Sequence, residues 1–208
     1  MYGVTERPKD EQDAMESPEK AWLDEYRRGN VDAMGKLVEH FRRPIFGFIL
    51  KMTEGREDAE EIFQETWLRA IRNIDSYRDK RFISWLFRIA HNLVIDRARK
   101  AKPVSDPHPA GPDQPGDPWE RIPSPGISPA RQVGGRDLGG RIAKAVSRLP
   151  REQKEVFLMR MEGDLPFKEI AKIHGTSINT ALARMQYALA KLKEELREDY
   201  RDIAGGQP

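Results

Sequence analysis

Cysteine is absent from the 208-residue sequence, which excludes disulfides and thiolate metal sites and is typical of an intracellular protein. Long apolar runs are also missing. No stretch approaches the roughly 18 residues of a membrane span, and the polar N-terminus holds no apolar segment like that of a signal peptide. These absences predict a soluble cytoplasmic protein without membrane insertion. The net charge is only +2, but nucleic-acid binding is not excluded, because charge clustering matters more than the sum.

Groupings that would support catalysis are not found either. The sequence has no glycine-rich phosphate loop and no nucleophile motif, and its histidines are scattered, at His40, His91, His108 and His174. Trp22, Trp67, Trp85 and the methionines are expected in the core rather than against a cofactor. The sequence therefore predicts no enzyme activity, no cofactor and no metal site.

A proline-rich segment divides the chain. Nine prolines and few apolar residues occur between Lys102 and Pro129, and proline removes an amide donor and fixes φ, so neither helix nor central strand persists. We predict a semi-extended linker over 102–128, for which an inert spacer is the alternative. It would join a helical domain over 19–101 to a second over 129–203, after a disordered N-terminus over 1–18.

Both domains are predicted to be all-α, because apolar residues recur at helical spacing and no strand-like alternation of any length is present. One predicted core face carries Phe63, Trp67, Ala70, Ile71 and Ile74. The next carries Phe82, Trp85, Leu86, Ile89 and Leu93. The second domain is predicted to begin at a cap formed by Ser128 and Pro129.

The stretch from Phe167 to Leu192 has the spacing of a helix-turn-helix, whose second helix enters the major groove of DNA. Its turn is built on Gly175, and Ala171 four residues earlier lets the helices cross closely. An ordinary helical hairpin capped by glycine is the alternative. Ser177 is predicted to cap the second helix, whose buried stripe is predicted to comprise Ile178, Ala181, Met185, Ala188, Leu192 and Leu196.

The outward face of that helix suits base reading better than phosphate binding. The segment Thr176–Met185 carries one positive charge, Arg184, whereas DNA-binding helices usually use several. Asn and Gln pair with adenine edges, and Leu and Ala contact the thymine methyl. Alone, the helix is expected to bind DNA weakly through Asn179, Thr180, Leu182, Ala183, Gln186 and Tyr187, with Arg184 alongside.

Two helices of the first domain present charged faces. One is acidic around an exposed Leu68, with Glu57, Asp58, Glu61, Glu65 and Arg72, and suits docking on a basic protein surface. The other carries Arg81, Ser84, Arg88, Asn92, Ile95 and Arg99, and suits phosphates and bases. A solvated face is the alternative for both. Tyr77 is a candidate stacking platform for an unpaired base, and a core or rim position is equally compatible with the sequence.

Two blocks of sequence carry a family resemblance. The block DAEEIFQETWLRAIRNIDSYRDKRFISWLFRIAHNLVIDRARK resembles the promoter-melting domain of bacterial sigma factors. The block LPREQKEVFLMRMEGDLPFKEIAKIHGTSINTALARMQYALAKLKEEL resembles their C-terminal promoter-binding domain. Two domains and a linker resemble the extracytoplasmic-function group, over about Glu19 to Leu196. The resemblance implies a sigma factor that binds core RNA polymerase, recognises the −35 element and melts −10 DNA.

The resemblance also implies site residues. The residues that it implies bind polymerase are Asp58, Glu61, Gln64, Glu65 and Leu68. Contact with −10 DNA falls on Ser76, Tyr77, Arg78, Lys80, Arg81, Arg88, Asn92 and Arg99. Contact with the −35 element falls on Ser177, Asn179, Thr180, Leu182, Ala183, Arg184, Gln186 and Tyr187. The implied partners are core RNA polymerase, promoter DNA and, as for many relatives, an anti-sigma factor.

Leu182 departs from the family pattern, because relatives commonly have a basic residue there, as they do at Tyr187. Since Ala181 takes the place of the family's buried aliphatic residue, Leu182 is expected to be exposed and to contact a thymine methyl. The main alternative for the whole chain is a helix-turn-helix regulator that acts without polymerase. Such a regulator needs neither the acidic face nor the second basic helix.

Overall fold

A computed structural model describes residues 18–78, 81–101 and 135–197, and within these ranges the chain is helical and has no strand. The N-terminal helices are α1 (Pro18–Arg27), α2 (Asp32–Met52), α3 (Arg56–Arg72), a 3-10 turn (Ile74–Ser76) and α4 (Phe82–Ala101). The C-terminal helices are α5 (Gly135–Ser147), α6 (Arg151–Gly163), α7 (Phe167–His174) and α8 (Ile178–Glu195). The predicted all-α class is confirmed. None of the described helices is long and apolar enough to cross a membrane.

Several predictions fall outside the described residues. These are residues 1–17 of the predicted disordered N-terminus, the linker over 102–128, the helix cap at Ser128 and Pro129, and the side chain of Lys80. Pro18, the last residue of that predicted N-terminal segment, instead begins α1. The chain breaks between α1 and α2, where Gly29 has φ +99° and the side chain of Asn30 accepts a hydrogen bond from the amide of Asp32 at 3.2 Å.

The core of the N-terminal helices forms around α2, which packs against α1, α3 and α4. The core faces predicted for α3 and α4 are confirmed: Trp67, Ala70, Ile74, Phe82, Trp85, Leu86 and Leu93 are buried, and Phe63, Ile71 and Ile89 pack on the same core from its rim. In the C-terminal helices, α8 packs against α5, α6 and α7. Val156, Leu158, Met159, Leu165 and Ile170 are fully buried there.

The two sets of helices are docked on each other and share one continuous core. Helix α6 packs on α2 and α4, and α7 packs on α4. Gly163 at the end of α6 lies directly on the ring of Phe87. Around this contact Lys51 forms an ion pair with Glu162, and Arg81 donates a hydrogen bond to the carbonyl of Asp164 at 3.4 Å.

Candidate functional site

The helix-turn-helix is formed by α7 and α8, as predicted. Gly175 ends α7 in the left-handed region at φ +62°, and the amide of Thr176 donates to the carbonyl of Ala171 at 3.0 Å. Ser177 caps α8, because its side-chain oxygen accepts from the amide of Thr180 at 3.1 Å. Ala171 is buried at the crossing of the two helices. These contacts fix how α8 projects from the domain.

Two residues at the start of α8 lie on faces opposite to those predicted. Leu182 was expected to be exposed, but only 7% of it is accessible; Ile178 was expected to be buried, but 39% of it is exposed. Helix α8 packs against three neighbouring helices, so its buried arc is wide enough to include Leu182 beside Ala181. Ile178 lies in the first turn, where side chains lean towards the helix N-terminus and past the packed surface. The rest of the predicted stripe is confirmed: Ala181, Met185, Ala188 and Leu192 are buried and Leu196 packs at the rim.

The outward face near the start of α8 is poor in available positive charge. Gln186 and Tyr187 are exposed, Tyr187 by 65%. Asn179, Thr180 and Ala183 are half-buried. Arg184 is engaged within the protein, where it pairs with Glu152 at 2.6 Å. The face therefore offers amide, methyl and phenol groups, which suit base edges better than phosphates.

The acidic face of α3 is partly neutralised by its neighbours. Arg97 of α4 pairs with both Asp58 and Glu61, and Arg69 pairs with Glu65 at 2.7 Å. Leu68 remains 46% exposed among these groups, and Gln64 is exposed beside it. An apolar side chain ringed by charged ones is a pattern typical of a protein-binding anchor.

Helix α4 presents part of the predicted basic stripe. Asn92 and Arg99 are exposed, Arg88 is half-buried, and Arg81 reaches across to α6. The expectation that Ser84 belongs to this stripe is wrong, because Ser84 is 1% exposed and faces the core.

The segment before α4 holds Tyr77 at the rim of the core. Its ring packs against Phe82 and Trp85, with ring centroids 5.2 Å apart in both pairs. Ser76 is exposed and donates to the carbonyl of Asn73 at 2.7 Å, and Arg78 donates to the carbonyl of Asp75 at 2.6 Å. The segment is thus a short ordered turn with one aromatic ring at its edge.

A further cluster was missed by sequence reasoning, which treated the histidines as scattered. His91 of α4 and His174 of α7 face Glu155 of α6 across the contact between the two sets of helices. Nε2 of His91 lies 3.3 Å from Oε2 of Glu155, and Nδ1 of His174 lies 3.8 Å from the same oxygen. All three side chains are 4% exposed. The sequence signal available was Glu155 itself, a carboxylate beside the buried Val156 and three residues before the buried Leu158 of α6.

Burial and pairing shift the pKa values of this cluster. Burial lowers the pKa of His174 to about 4; the attraction of Glu155 opposes this, and the positive charges of His91 and Arg184 add to it. Burial favours the neutral form of Glu155, but the hydrogen bond and charge of His91, the charge of His174 and the hydrogen bond from Arg151 together hold its pKa below the usual range. At neutral pH, His174 is therefore neutral and Glu155 is ionised.

Comparison with known proteins gives two family matches. Residues 37–104 match Sigma-70 region 2, and residues 139–192 match Sigma-70, region 4. Over 187 residues the chain is 30% identical to the ECF RNA polymerase sigma factor SigW of Bacillus subtilis, covering 88% of this chain and 100% of SigW. It is 26% identical over 170 residues to the ECF RNA polymerase sigma factor RpoE of Cereibacter sphaeroides, covering 79% of this chain and 86% of that protein.

Solved structures share the fold. CnrH, in complex with the cytosolic domain of CnrY, superimposes with a TM-score of 0.61 at 22% identity, over 88% of this chain and 99% of that one. The sigma factor RpoE in complex with the anti-sigma factor NepR from Bartonella quintana superimposes with a TM-score of 0.60 at 20% identity, over 80% and 98% of the two chains.

Proposed function

Because the chain belongs to the extracytoplasmic-function (ECF) group of RNA polymerase sigma factors, we propose that three of its helices share the recognition steps of promoter-specific transcription initiation. Core RNA polymerase and promoter DNA are then its partners, and it acts in the cytoplasm. RNA synthesis is the chemistry of polymerase, so this chain needs no catalytic residue. The observation that carries the proposal is the joint match of regions 2 and 4, in that order, over residues 37–104 and 139–192.

Helix α3 is the proposed polymerase-binding element. Leu68 would insert into an apolar pocket of the partner, while Asp58, Glu61, Gln64 and Glu65 surround it with charged and polar groups. Since Arg97 and Arg69 hold three of these carboxylates in place, the polar rim is pre-organised. A basic surface on polymerase is the complementary partner.

Helix α4 and the turn before it form the proposed −10 element. Arg81, Arg88, Asn92 and Arg99 would contact phosphates and bases, and Ser76, Arg78 and Lys80 belong to the turn that precedes them. Tyr77 would stack on a base released from the duplex, because its ring already rests on Phe82 and Trp85 at the edge of the core.

Helix α8 is the proposed −35 reader. The exposed Gln186 and Tyr187 and the half-buried Asn179, Thr180 and Ala183 are available at its outward face. Ser177 and Arg184 are occupied within the protein, the first as a cap and the second by Glu152. Leu182 is buried and so supports this helix from behind instead of contacting DNA.

Helix α8 gains affinity for DNA from polymerase and from the second DNA-binding element of the chain. Phosphate contacts dominate the affinity of isolated DNA-binding helices, and α8 offers few of them. A sigma factor acts with polymerase, and its two DNA-reading elements are tethered, so the second contact is made at a high effective concentration. Weak but selective base reading is then sufficient.

The docked arrangement must open at a promoter. The −10 and −35 elements lie about 25 base pairs apart, or roughly 85 Å of B-DNA, whereas α7 packs directly on α4 in this structure. The 33 residues between Ala101 and Gly135 reach at most about 110 Å when fully extended. The chain between the two sets of helices is therefore long enough to let them separate and engage both elements.

Co-elution with core polymerase tests the proposal. Purified chain mixed with core polymerase should elute with it on gel filtration, and duplex DNA should be bound specifically only by the mixture. A helix-turn-helix regulator that acts alone would instead bind a specific duplex without polymerase and would not co-elute. That second pattern would favour the alternative and remove α3 from the list of functional surfaces.

A further inference from the structure

The cluster of His91, Glu155 and His174 is built from three different helices that meet where the two sets of helices dock. His91 comes from α4, whereas Glu155 and His174 come from α6 and α7. One potential ligand atom from each side chain lies within 4.8 Å of the other two. Two of the separations, 3.3 Å and 3.8 Å, are near the roughly 3.3 Å expected between ligands in a tetrahedral site with bonds of about 2.0–2.1 Å. Side-chain rotations that shorten the third separation, which is at most 4.8 Å, by up to about 1.5 Å would complete a metal site.

Without an ion, several ring nitrogens of the two histidines lack a good hydrogen-bond partner. Nδ1 of His174 lies 3.4 Å from a guanidinium nitrogen of Arg184, which donates, so this nitrogen carries a lone pair and cannot also donate to Glu155. A lone pair therefore faces a carboxylate oxygen inside the protein. The outer ring nitrogens, Nδ1 of His91 and Nε2 of His174, are buried and have no hydrogen-bond partner among the described residues. These two nitrogens are not the ones that face Glu155, so they need water molecules as partners whether or not an ion is bound.

Ion pairs with two arginines hold the groups around the cluster. The other oxygen of Glu155 accepts from Arg151 at 2.9 Å, which orients the carboxylate and leaves Oε2 directed at the histidines. The charge of Arg184 is balanced by Glu152.

An access route is also present. An open cleft of about 530 Å³ leads to both histidines and is lined on its way by Asn92, Asp96, Lys172 and Gly175. A solvent molecule from this cleft would supply the fourth ligand of a tetrahedral ion.

We propose that His91, Glu155 and His174 bind one divalent transition-metal ion, with Zn²⁺ as the best match, and that the bound ion holds the two sets of helices together. Two imidazole nitrogens and one carboxylate oxygen form a ligand set that zinc favours, whereas Mg²⁺ and Ca²⁺ prefer oxygen ligands. Since the ligands come from both sides of the docking contact, metal binding and docking are thermodynamically linked. The ion would stabilise the closed arrangement, which the proposed function requires to open at a promoter.

Calorimetry with Zn²⁺ as the probe tests binding. The full chain, without a tag and after treatment with a chelator, should bind one equivalent of Zn²⁺ and should give no heat with Mg²⁺. His174→Gln and His91→Gln remove a ligand from opposite sides of the contact, and each should weaken binding at least about 100-fold. His40→Gln is the matched control, because His40 is an exposed histidine of α2 outside the cluster, and it should bind like the wild type.

Three results would overturn the site: wild-type protein that binds no Zn²⁺, full binding by both cluster variants, or loss of binding in His40→Gln. Circular dichroism of the metal-free variants shows whether they are folded. If both histidine variants are unfolded, binding of Co²⁺ to the wild-type protein tests the site instead. Strong visible ligand-field absorption, typical of four-coordinate cobalt, is expected, and the weak spectrum of the hydrated ion would contradict the proposal.

We call the proposed holding of the two sets of helices by the ion the clamp. Run-off transcription with core polymerase tests the clamp, and this experiment rests on the proposed function. Saturating Zn²⁺ should lower the yield with the wild-type chain several-fold and leave the yield with His174→Gln unchanged, which controls for effects of zinc on polymerase. Equal yields from the wild type with and without Zn²⁺ would overturn the clamp. Absence of transcripts in chelator from both chains would instead overturn the proposed function, while the calorimetric result stands separately.

Discussion

Gly163 lies so close to Phe87 that a β-carbon on the glycine would come within 2.5 Å of the phenyl ring. The same β-carbon would also lie 2.5 Å from Cδ1 of Leu165. Gly163 ends α6 and Phe87 is in the second turn of α4, so this contact joins the C-terminal helices to the N-terminal ones. Only glycine permits this approach, since no real β-carbon tolerates such distances.

We therefore expect Gly163→Ala to weaken the docking of the two sets of helices. Overpacking of this kind typically costs about 1–3 kcal/mol, and the ring of Phe87 is fully buried and has little room to move. Small-angle scattering should show a larger radius of gyration, and the melting temperature should fall. Gly139→Ala is the matched control, because a β-carbon there meets nothing within 4 Å, and it should stabilise α5 by up to about 1 kcal/mol. Identical scattering from Gly163→Ala and the wild type would show that the docking does not depend on this contact.

Leu182 and Tyr187 give a matched pair on α8. Leu182 is 7% exposed and Tyr187 is 65% exposed, so a lysine is forced into the core at the first position and extends into solvent at the second. Leu182→Lys should lose roughly 3 kcal/mol of stability, or about 5–10 °C in melting temperature. Tyr187→Lys should melt like the wild type and should steepen the salt dependence of −35 binding by about one phosphate contact. Equal melting temperatures for the two variants would argue that Leu182 is not buried in solution.

Leu68 is the expected anchor on polymerase. Leu68→Ala removes an apolar side chain that is 46% exposed, so stability should change little, whereas the affinity for core polymerase should fall by about 1–3 kcal/mol. Adding Glu65→Lys reverses one charge of the rim and should abolish measurable binding. Leu189→Ala is the control, since Leu189 is 43% exposed on α8, away from the proposed surface. Polymerase affinity that is unchanged in the Leu68 and Glu65 double variant rules out α3 as the docking element.

Tyr77 should be needed for single-stranded DNA. Tyr77→Ala removes a stacking surface, and binding of single-stranded −10 DNA should weaken by roughly 1–3 kcal/mol. Tyr77→Phe keeps the ring and should bind nearly as tightly as the wild type. Duplex −35 DNA provides the second control, because α8 is far along the chain from Tyr77. A similar loss on both DNA probes would indicate that the ring only supports the core through Phe82 and Trp85.

Much of the fold could be predicted from local signals in the sequence. The helix break at Gly29, the cap at Ser177 and the turn at Gly175 each depend on residues a few positions apart. Such local features can be predicted from the sequence. The core faces of α3 and α4 follow from helical spacing alone.

The remaining features depend on packing between helices distant in sequence. The burial of Leu182 follows from the three helices that surround α8, and helical spacing allowed two different faces. The meeting of His91 with His174 depends on the docking of α7 on α4, which brings together residues 83 positions apart. Arg97 lies on a helix read as basic and pairs with the acidic face of α3, so the sequence overstates the charge of both surfaces.

Run-off transcription on fragmented genomic DNA tests whether the chain directs promoter-specific initiation by core RNA polymerase. Purified chain and core RNA polymerase are incubated with the DNA and nucleotides, and the 5′ ends of the transcripts are mapped by sequencing. For a sigma factor we expect a small set of discrete start sites that share one −10 and one −35 sequence, and that disappear when Leu68→Ala and Glu65→Lys are combined. Start sites identical to those of core polymerase without the chain, or discrete sites that persist in the double variant, would contradict this expectation.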